Sequence, residues 1–295
     1  MAMKNILFII SLIVFLTGHS PAQTFDWSDV ETLFNRKGTV NGDVFKITFP
    51  RTDLKVMVGD LVLEPGLALT SWMAFKPMDS SAMAMGDLVL LEKEVAPVTK
   101  KLIANGFEIT ALHNHILHET PRVMYMHFSG NGNAVKLAEG MKSALSETGT
   151  PLTLSTLPSS QTKQITLIDW ANIETILGKN GQHKGNISQF GFPRSETITE
   201  NGMEISPFMG MATAINFQKA GTQMATTGDF VLLADEVNPV LKTLTENGIA
   251  VTAIHSHMLN ETPRLFFMHF WGIGDPEKLA RGIKAALDKT NYGKN

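Results

Sequence analysis

Apolar and polar side chains alternate with a period of two in several short segments of the chain. Residues 44–49 place phenylalanine and isoleucine on one side and lysine and threonine on the other, which predicts a half-buried strand. Residues 54–63 predict a hairpin, and residues 67–75 predict a further apolar strand. Gly86-Asp87, like Gly228-Asp229, predicts a tight turn that leads into a strand.

Other segments carry apolar residues at helical spacing. Residues 94–105 predict a helix that Gly106 ends, and residues 134–145 predict a second helix with one apolar face. From residue 67 onward the order is therefore strand, strand, helix, strand, strand, helix. This order predicts an α+β fold in which helices pack on one face of an antiparallel sheet, as in ferredoxin-like folds. The opposite face of the sheet is then free to carry a site.

The chain is an internal duplication with an offset of 143 residues early and 142 residues later. The matching pairs are Asp26-Trp27 with Asp169-Trp170, Phe49-Pro50-Arg51 with Phe192-Pro193-Arg194, and Asn105-Gly106 with Asn247-Gly248. A period this long indicates two homologous domains and not a solenoid. We expect a first repeat domain at residues 25–147, a linker rich in Ser, Thr, Pro and Gly at residues 148–166, and a second repeat domain at residues 167–295.

The first 22 residues have the pattern of a secretory signal peptide. Lys4 precedes an apolar run at residues 6–16, which is too short for a membrane span, and Ser20-Pro21-Ala22 is a small-x-small cleavage site. We therefore expect a periplasmic or secreted protein without a membrane span in its mature form. After cleavage 24 basic and 28 acidic residues remain, a net charge of −4 that does not suggest nucleic acid as a partner. The chain has no cysteine, so disulfides and thiolate chemistry are excluded.

One histidine-rich motif occurs once in each repeat. In each copy a His-x-His pair is followed by Glu-Thr-Pro-Arg and by a third histidine in an apolar run. Six of the nine histidines of the chain belong to these two triads: His113, His115 and His127, and His255, His257 and His269. Residues two apart in a strand share a face, and a hairpin that turns near Thr120 places His127 close to opposite His113. The sequence therefore predicts a triad on one face of a hairpin in each repeat.

Clustered imidazoles are the commonest ligands of transition metals in proteins, and three of them with an open position are typical of a catalytic site. We expect each triad to bind a divalent transition metal, with zinc as the first candidate. A set of two histidines and a carboxylate would instead use His113, His115 and Glu119. A further alternative is that the histidines only stabilise a half-buried sheet face.

The turn of each motif offers two further kinds of functional group. Glu119 and Glu261 are candidate general bases, if each turn glutamate does not instead pair with the nearby arginine. Arg122 and Arg264 are candidate ligand-binding residues that would hold a carboxylate or phosphate group.

The whole chain after residue 22 resembles the LppY/LpqO family of uncharacterised exported proteins. The resemblance is carried by Phe49-Pro50-Arg51, Gly86-Asp87, Glu94-Val95-x-Pro97-Val98, Thr110-Ala111-Leu112-His113-Asn114-His115, Glu119-x-Pro121-Arg122 and Met126-His127-Phe128. The second copy departs from this pattern with Ser256 in place of Asn114 and Asn260 in place of His118. The resemblance implies export to the bacterial envelope, and it implies no reaction.

Two functions are consistent with these observations. The first is an exported metal-binding protein with a His-rich site in each repeat, which could act as a metal-dependent hydrolase. The second is a non-catalytic binding module for a small anionic or envelope ligand. Metal content distinguishes the two.

Overall fold

The computed structural model describes residues 25–153 and 170–293. The elements of the first repeat are α1 (Ser28–Phe34), β1 (Thr39–Asn41), β2 (Val44–Pro50), β3 (Met57–Val58), β4 (Leu61–Val62), α2 (Pro65–Ala68), β5 (Thr70–Met78), β6 (Ser81–Leu91), α3 (Glu92–Ala104), β7 (Glu108–His113), β8 (Glu119–Thr120), β9 (Val123–Gly132) and α4 (Ala134–Leu145). Those of the second are α5 (Ala171–Leu177), β10 (Gln182–Lys184), β11 (Ile187–Pro193), β12 (Thr199–Glu200), β13 (Met203–Glu204), a 3-10 turn (Pro207–Met209), β14 (Ala212–Ala220), β15 (Gln223–Leu232), α6 (Ala234–Glu246), β16 (Ala250–His255), β17 (Glu261–Thr262), β18 (Phe266–Gly274) and α7 (Pro276–Leu287).

Each repeat is an α+β domain built on a six-stranded antiparallel sheet, as the sequence predicts. The strand order is β1-β2-β5-β6-β9-β7 in the first repeat and β10-β11-β14-β15-β18-β16 in the second. A small three-stranded sheet, β4-β3-β8 or β13-β12-β17, accompanies each large sheet. Because β8 and β17 join these small sheets, the segment between the two strands of each histidine hairpin is wider than a simple turn.

The helices cover the outer face of each sheet. In the first repeat α3 and α4 contribute buried residues such as Leu102 and Met141 to a core that includes Phe45, Ile47 and Phe49 of β2. The alternation in residues 44–49 therefore predicts the buried face of β2 correctly. The second repeat has the equivalent core beneath α6 and α7.

The arginine of the repeated Phe-Pro-Arg motif links the end of a strand to the first turn of a helix. Arg51 is fully buried, and its guanidinium donates hydrogen bonds to both carboxylate oxygens of Glu94, at 2.8 and 3.1 Å, and to Asp53. Glu94 also accepts from the backbone N–H of Leu91, which satisfies one unpaired donor at the start of α3. Arg194 pairs with Glu236 and Glu196 in the same way in the second repeat. These residues therefore have a structural role.

Gly86-Asp87 is not a turn, which corrects the sequence prediction, and the same holds for Gly228-Asp229. Both pairs lie in the middle of strands, in β6 and β15 respectively. Glycine is needed there because a Cβ atom on Gly86 would overlap the ring of Phe128 and the carbonyl oxygen of the neighbouring strand. The prediction was wrong because it attributed the glycine to a turn. The glycine is required instead by the close approach of another strand.

The two repeats face each other through the inner faces of their sheets. Met83 and Met85 of the first repeat share an apolar cluster with Met209 and Met211 of the second. Polar groups also pair across the interface: the Asn114 side-chain amide donates a hydrogen bond to the Thr252 carbonyl oxygen at 3.1 Å. A second mixed cluster joins Val89 and its neighbours to Ile187. The histidine face of each sheet is therefore enclosed between the two domains.

The predicted signal peptide at residues 1–22 lies outside the described residues, as does most of the predicted linker. Among residues 25–153 and 170–293, no helix has the length and apolar character that a membrane crossing requires.

Candidate functional site

The three histidines of each motif converge in space. His113 and His115 project from the end of β7 and the loop after it, and His127 projects from β9. One ligand atom from each of these three imidazoles lies within 4.8 Å of the other two. The register differs from the predicted one, because Tyr125 lies opposite His113 and Ala111 lies opposite His127. A shift of two residues keeps the same face of the strand, so the triad still forms.

The two triads meet and form one cluster of six histidines. His113 stacks on His255, its counterpart in the second repeat, with ring centroids 3.5 Å apart. His115 stacks on His269 and His127 stacks on His257, each with a centroid distance of 3.7 Å. These pairings are those of a two-fold axis that passes between His113 and His255. The sequence predicts a site in each repeat, whereas the structure joins the two sites at the interface.

His113 belongs to both sets of ligand atoms. It completes the first triad, and it also lies within 4.8 Å of the ligand atoms of His255, His257 and His269. The cluster therefore offers one set of three and one set of four imidazoles that share a member.

Backbone carbonyl groups orient several of the rings. The Nδ1 atoms of His113 and His255 lie 3.2 and 3.3 Å from the carbonyl oxygens of Asn114 and Ser256, and Nδ1 of His269 lies 3.0 Å from that of Gly228. A carbonyl oxygen only accepts, so Nδ1 carries the proton and the lone pair is on Nε2. Metal-binding histidines are oriented in this way by a partner of the other ring nitrogen.

Burial keeps the imidazoles of the cluster neutral. It lowers the pKa of His113 to about 3, with a contribution from His255, and it lowers the pKa of His255 to about 4. The pKa values of the other four histidines are well below the ordinary value for the same reason. Neutral imidazole is the form that binds metal.

Two aspartates that sequence reasoning missed lie beside the cluster. Asp87 is opposite His127 in the sheet, with carboxylate oxygens 3.9 Å from Nε2 of His127 and 4.0 Å from that of His115. Asp229 lies 3.5 Å from Nε2 of His257. Burial raises the pKa of Asp87 to about 8, and burial together with Asp87 raises that of Asp229 well above its ordinary value. An acid repeated in the middle of an apolar strand is the signal that could have identified them.

The predicted turn residues lie at the edge of this cluster. Glu119 is buried in β8 and accepts a hydrogen bond from the backbone N–H of Val123, and Glu261 accepts from that of Leu265. Neither glutamate belongs to the two sets of converging ligand atoms. Their role as general bases stays a prediction.

The two arginines are both exposed. Arg264 donates to Glu261 at 3.1 Å and to the hydroxyl of Ser256 at 2.9 Å. In the second repeat the arginine therefore forms the ion pair that was the alternative to ligand binding. Arg122 is exposed beside the first motif, and ligand binding by either arginine stays a prediction.

A cleft of about 1160 Å³ leads from the surface to the cluster. It is lined by four of the six histidines, His115, His127, His257 and His269, and by both aspartates. The cluster is therefore buried and borders this cleft.

Comparisons with solved structures give only distant similarity. The trimeric bacterial microcompartment shell protein PduB is 9% identical, with 86% of this chain and 89% of that chain covered and a TM-score of 0.22. EtuB from Clostridium kluyveri is 11% identical over the same shares of the two chains, with a TM-score of 0.20. No functionally curated protein matches the chain.

A protein family does match both repeats. Its description is Domain of Unknown Function (DUF1259), and it matches residues 28–147 and 171–289. These two ranges cover most of the chain and separate the repeats where the internal duplication separates them. The chain therefore belongs to the DUF1259 family, with two tandem copies of its domain.

Proposed function

We propose that this protein binds a divalent transition metal at the histidine cluster that its two repeats share. The observation that supports the proposal most strongly is the set of six Nε2 atoms, which are all buried and have no hydrogen-bond partner among the described residues. A buried polar atom without a partner costs about 1–3 kcal/mol.

The donor set fits a borderline metal ion. Imidazole nitrogen suits zinc, copper, iron and nickel, and zinc commonly binds three or four such ligands. The ligands would come from one of two overlapping sets, His113 with His115 and His127, or His113 with the second triad. Because His113 has a single lone pair on Nε2, it would serve one metal ion at a time. The chain has no thiolate to offer, so the six imidazoles are the ligands that select the metal.

We propose a hydrolytic reaction as the chemistry of this centre. A bound zinc ion supplies Lewis acidity and lowers the pKa of water. Asp87 and Asp229 place carboxyl oxygens 3.5–4.0 Å from imidazole Nε2 atoms at the edge of the cleft, so they would be positioned to transfer a proton to or from a molecule in it. Glu119 and Glu261 are proposed to fix the turn that carries the second histidine of each motif. In the alternative proposal these two glutamates, and not the aspartates, serve as general bases.

We also propose where in the cell the protein is located. The resemblance to the LppY/LpqO family and the pattern of residues 1–22 support an exported protein of the bacterial envelope. Mass spectrometry of protein from the native host should find Gln23 as the first residue. An intact Met1 in mature protein would contradict export by signal cleavage.

Elemental analysis tests the metal proposal directly. Untagged protein purified without chelators should contain zinc or another transition metal, and a variant with His113→Ala and His255→Ala should contain little. The variant His183→Ala is the matched control, because His183 pairs with Glu174 and Ser188 far from the cluster. Metal-free wild-type protein that also fails to take up Zn²⁺, Cu²⁺, Ni²⁺ or Mn²⁺ in titration calorimetry would show that the proposal is wrong.

A further inference from the structure

Lys46 is a half-buried cation that lines the cleft and has no acidic partner. Its Nζ atom lies 3.8 Å from the centre of the Trp72 indole and donates a hydrogen bond to the carbonyl oxygen of Phe208 at 3.4 Å. In the described part of the chain the ion pairs within 4.0 Å do not include Lys46, whereas the buried Arg51 and Arg194 each pair with two acids. A charge removed from water is ordinarily paired, so this ammonium is available to an anion from outside the chain.

The ammonium keeps its charge at neutral pH. Burial lowers the pKa of Lys46 to about 8, and the carboxyl group of Asp87 opposes this effect. The protonated form is therefore the major one at pH 7, and it is near enough to the cluster to respond to Asp87.

The cleft as a whole favours anions as well. Within the described ranges it is lined by four basic and three acidic residues: Arg36, Lys46, Lys179 and Lys184, and Glu64, Asp87 and Asp229. This is a formal charge of +1 in a protein whose net charge is −3. A cleft of positive sign raises the local concentration of negatively charged molecules.

The second repeat lacks both parts of this arrangement. The position of Lys46 on β2 is occupied on β11 by Gln189, whose side-chain amide donates to the carbonyl oxygen of Gly66 at 2.8 Å. The position of Trp72 is occupied by Ala214, which lies opposite the second aspartate. The packing of a repeat therefore does not require a lysine here.

The ammonium and the histidine cluster border the same cleft. Nζ of Lys46 lies over the indole of Trp72, and Trp72 is directly opposite Asp87. Asp87 is in turn directly opposite His127, and directly opposed residues share a face of the sheet. Two strand spacings, roughly 10 Å, therefore separate the ammonium from the strand of His127. The side chain of His115, which is 16% exposed, lines the same cleft.

We propose that this cleft binds a small organic acid whose carboxylate pairs with the ammonium of Lys46 while its other end lies against the histidine cluster. A carboxylate fits better than a phosphate group, because Lys46 offers a single ammonium and phosphate sites usually combine several donors. The inference rests on the proposed function in one respect, since a bound metal is what the other end of the acid meets. Lys46 is then the residue that orients the ligand toward the metal.

Two variants separate the ammonium of Lys46 from the general charge of the cleft. Lys46→Met removes the charge and keeps an unbranched side chain beside the indole. Lys179→Met is the matched control, because it removes the same charge from another part of the cleft, where Nζ lies 5.5 Å from the centre of the Phe192 ring. If Lys46→Met does not fold, judged by circular dichroism, Lys46→Gln replaces it, since glutamine is the residue of the second repeat at this position.

Titration calorimetry with glutarate tests the carboxylate site in metal-free protein. Loss of a charge-assisted hydrogen bond should weaken glutarate binding by at least about tenfold in Lys46→Met. Lys179→Met should lose less than about threefold, because its charge acts only through the field of the cleft. The neutral analogue glutaramide should bind wild type and Lys46→Met equally. Equal glutarate affinities in wild type and Lys46→Met, or an equal loss in the two variants, would overturn the inference, and tighter binding of inorganic phosphate than of glutarate would overturn the assignment to a carboxylate.

The same titration in zinc-loaded protein tests whether the ligand reaches the cluster. Zinc should tighten glutarate binding to wild type by at least about tenfold, while the zinc affinity of Lys46→Met should equal that of wild type. Glutarate affinities that are equal with and without zinc would overturn the placement of the ligand against the cluster. If wild type takes up no zinc, the metal proposal is wrong and the metal-free comparison alone decides the role of Lys46. Absence of glutarate binding to wild type in both forms would overturn the inference.

Discussion

Replacement of His113 by alanine should affect the whole metal centre and not half of it. His113 belongs to the set of three converging imidazoles and to the set of four, so its removal leaves sets of two and three. If the triads were independent, the second repeat would keep its own metal. The shared cluster instead predicts a loss of affinity for all bound metal.

The size of the effect follows from the linkage between binding and stability. A metal present at 100 times its dissociation constant stabilises the folded state by about 2.7 kcal/mol. For a protein of this size that corresponds to a rise in Tm of roughly 5 °C. If the loss of His113 weakens binding by about 100-fold, the same metal concentration adds only about 0.4 kcal/mol, or roughly 1 °C.

Thermal unfolding followed by intrinsic fluorescence measures this difference. Wild type, His113→Ala and the control His183→Ala are compared with and without Zn²⁺ at one concentration, and the rise in Tm is the measured quantity. The control should keep the full rise. A rise in His113→Ala equal to that of wild type would refute the role of His113 as a shared ligand.

Three further predictions concern the framework of the site. Arg51→Ala leaves Glu94 buried without its partner and should destabilise the protein by about 3–5 kcal/mol in urea unfolding; a loss below 1 kcal/mol would contradict this. Although burial opposes the charge of Glu196, hydrogen bonds led by that from Arg194 lower its pKa, so its stabilising effect is full above pH 4.5 and is lost as the pH falls through the lowered value. In Glu196→Gln the free energy of unfolding should therefore fall less steeply as the pH drops below 4.5. An unchanged slope would contradict this role of Glu196. Gly228→Ala would overlap a carbonyl oxygen of the adjacent strand and should lower Tm by several degrees, whereas Gly191→Ala, where no atom lies within 4 Å, should not.

The histidine hairpins could be predicted from the sequence because their geometry is local. His113 and His115 are two residues apart at the end of a strand, and the third histidine returns on a strand that must share its apolar register. A register error of two residues did not matter, because only an odd shift would move His127 to the other face of the sheet. The same two-residue alternation makes the outer, helix-covered face of β2 predictable.

The union of the two triads could not be predicted, because it depends on how two sheets pack. That packing is set by residues far apart in sequence, such as Met85 and Met211, whose alternation is equally consistent with any buried face. Asp87 was missed for a related reason. A Gly-Asp pair has strong turn propensity, and only the approach of the neighbouring strand shows why the glycine continues the strand.

The stacking of His113 on His255 has a consequence for chains that carry only one repeat. Because equivalent residues meet on the axis, a single domain holds half of the cluster and leaves its inner apolar face uncovered. A one-domain relative with the same residues should associate as an isologous homodimer that rebuilds the six-histidine cluster. Fusion of two such copies releases the halves from exact symmetry, so that one repeat can carry Trp72 where the other carries Ala214.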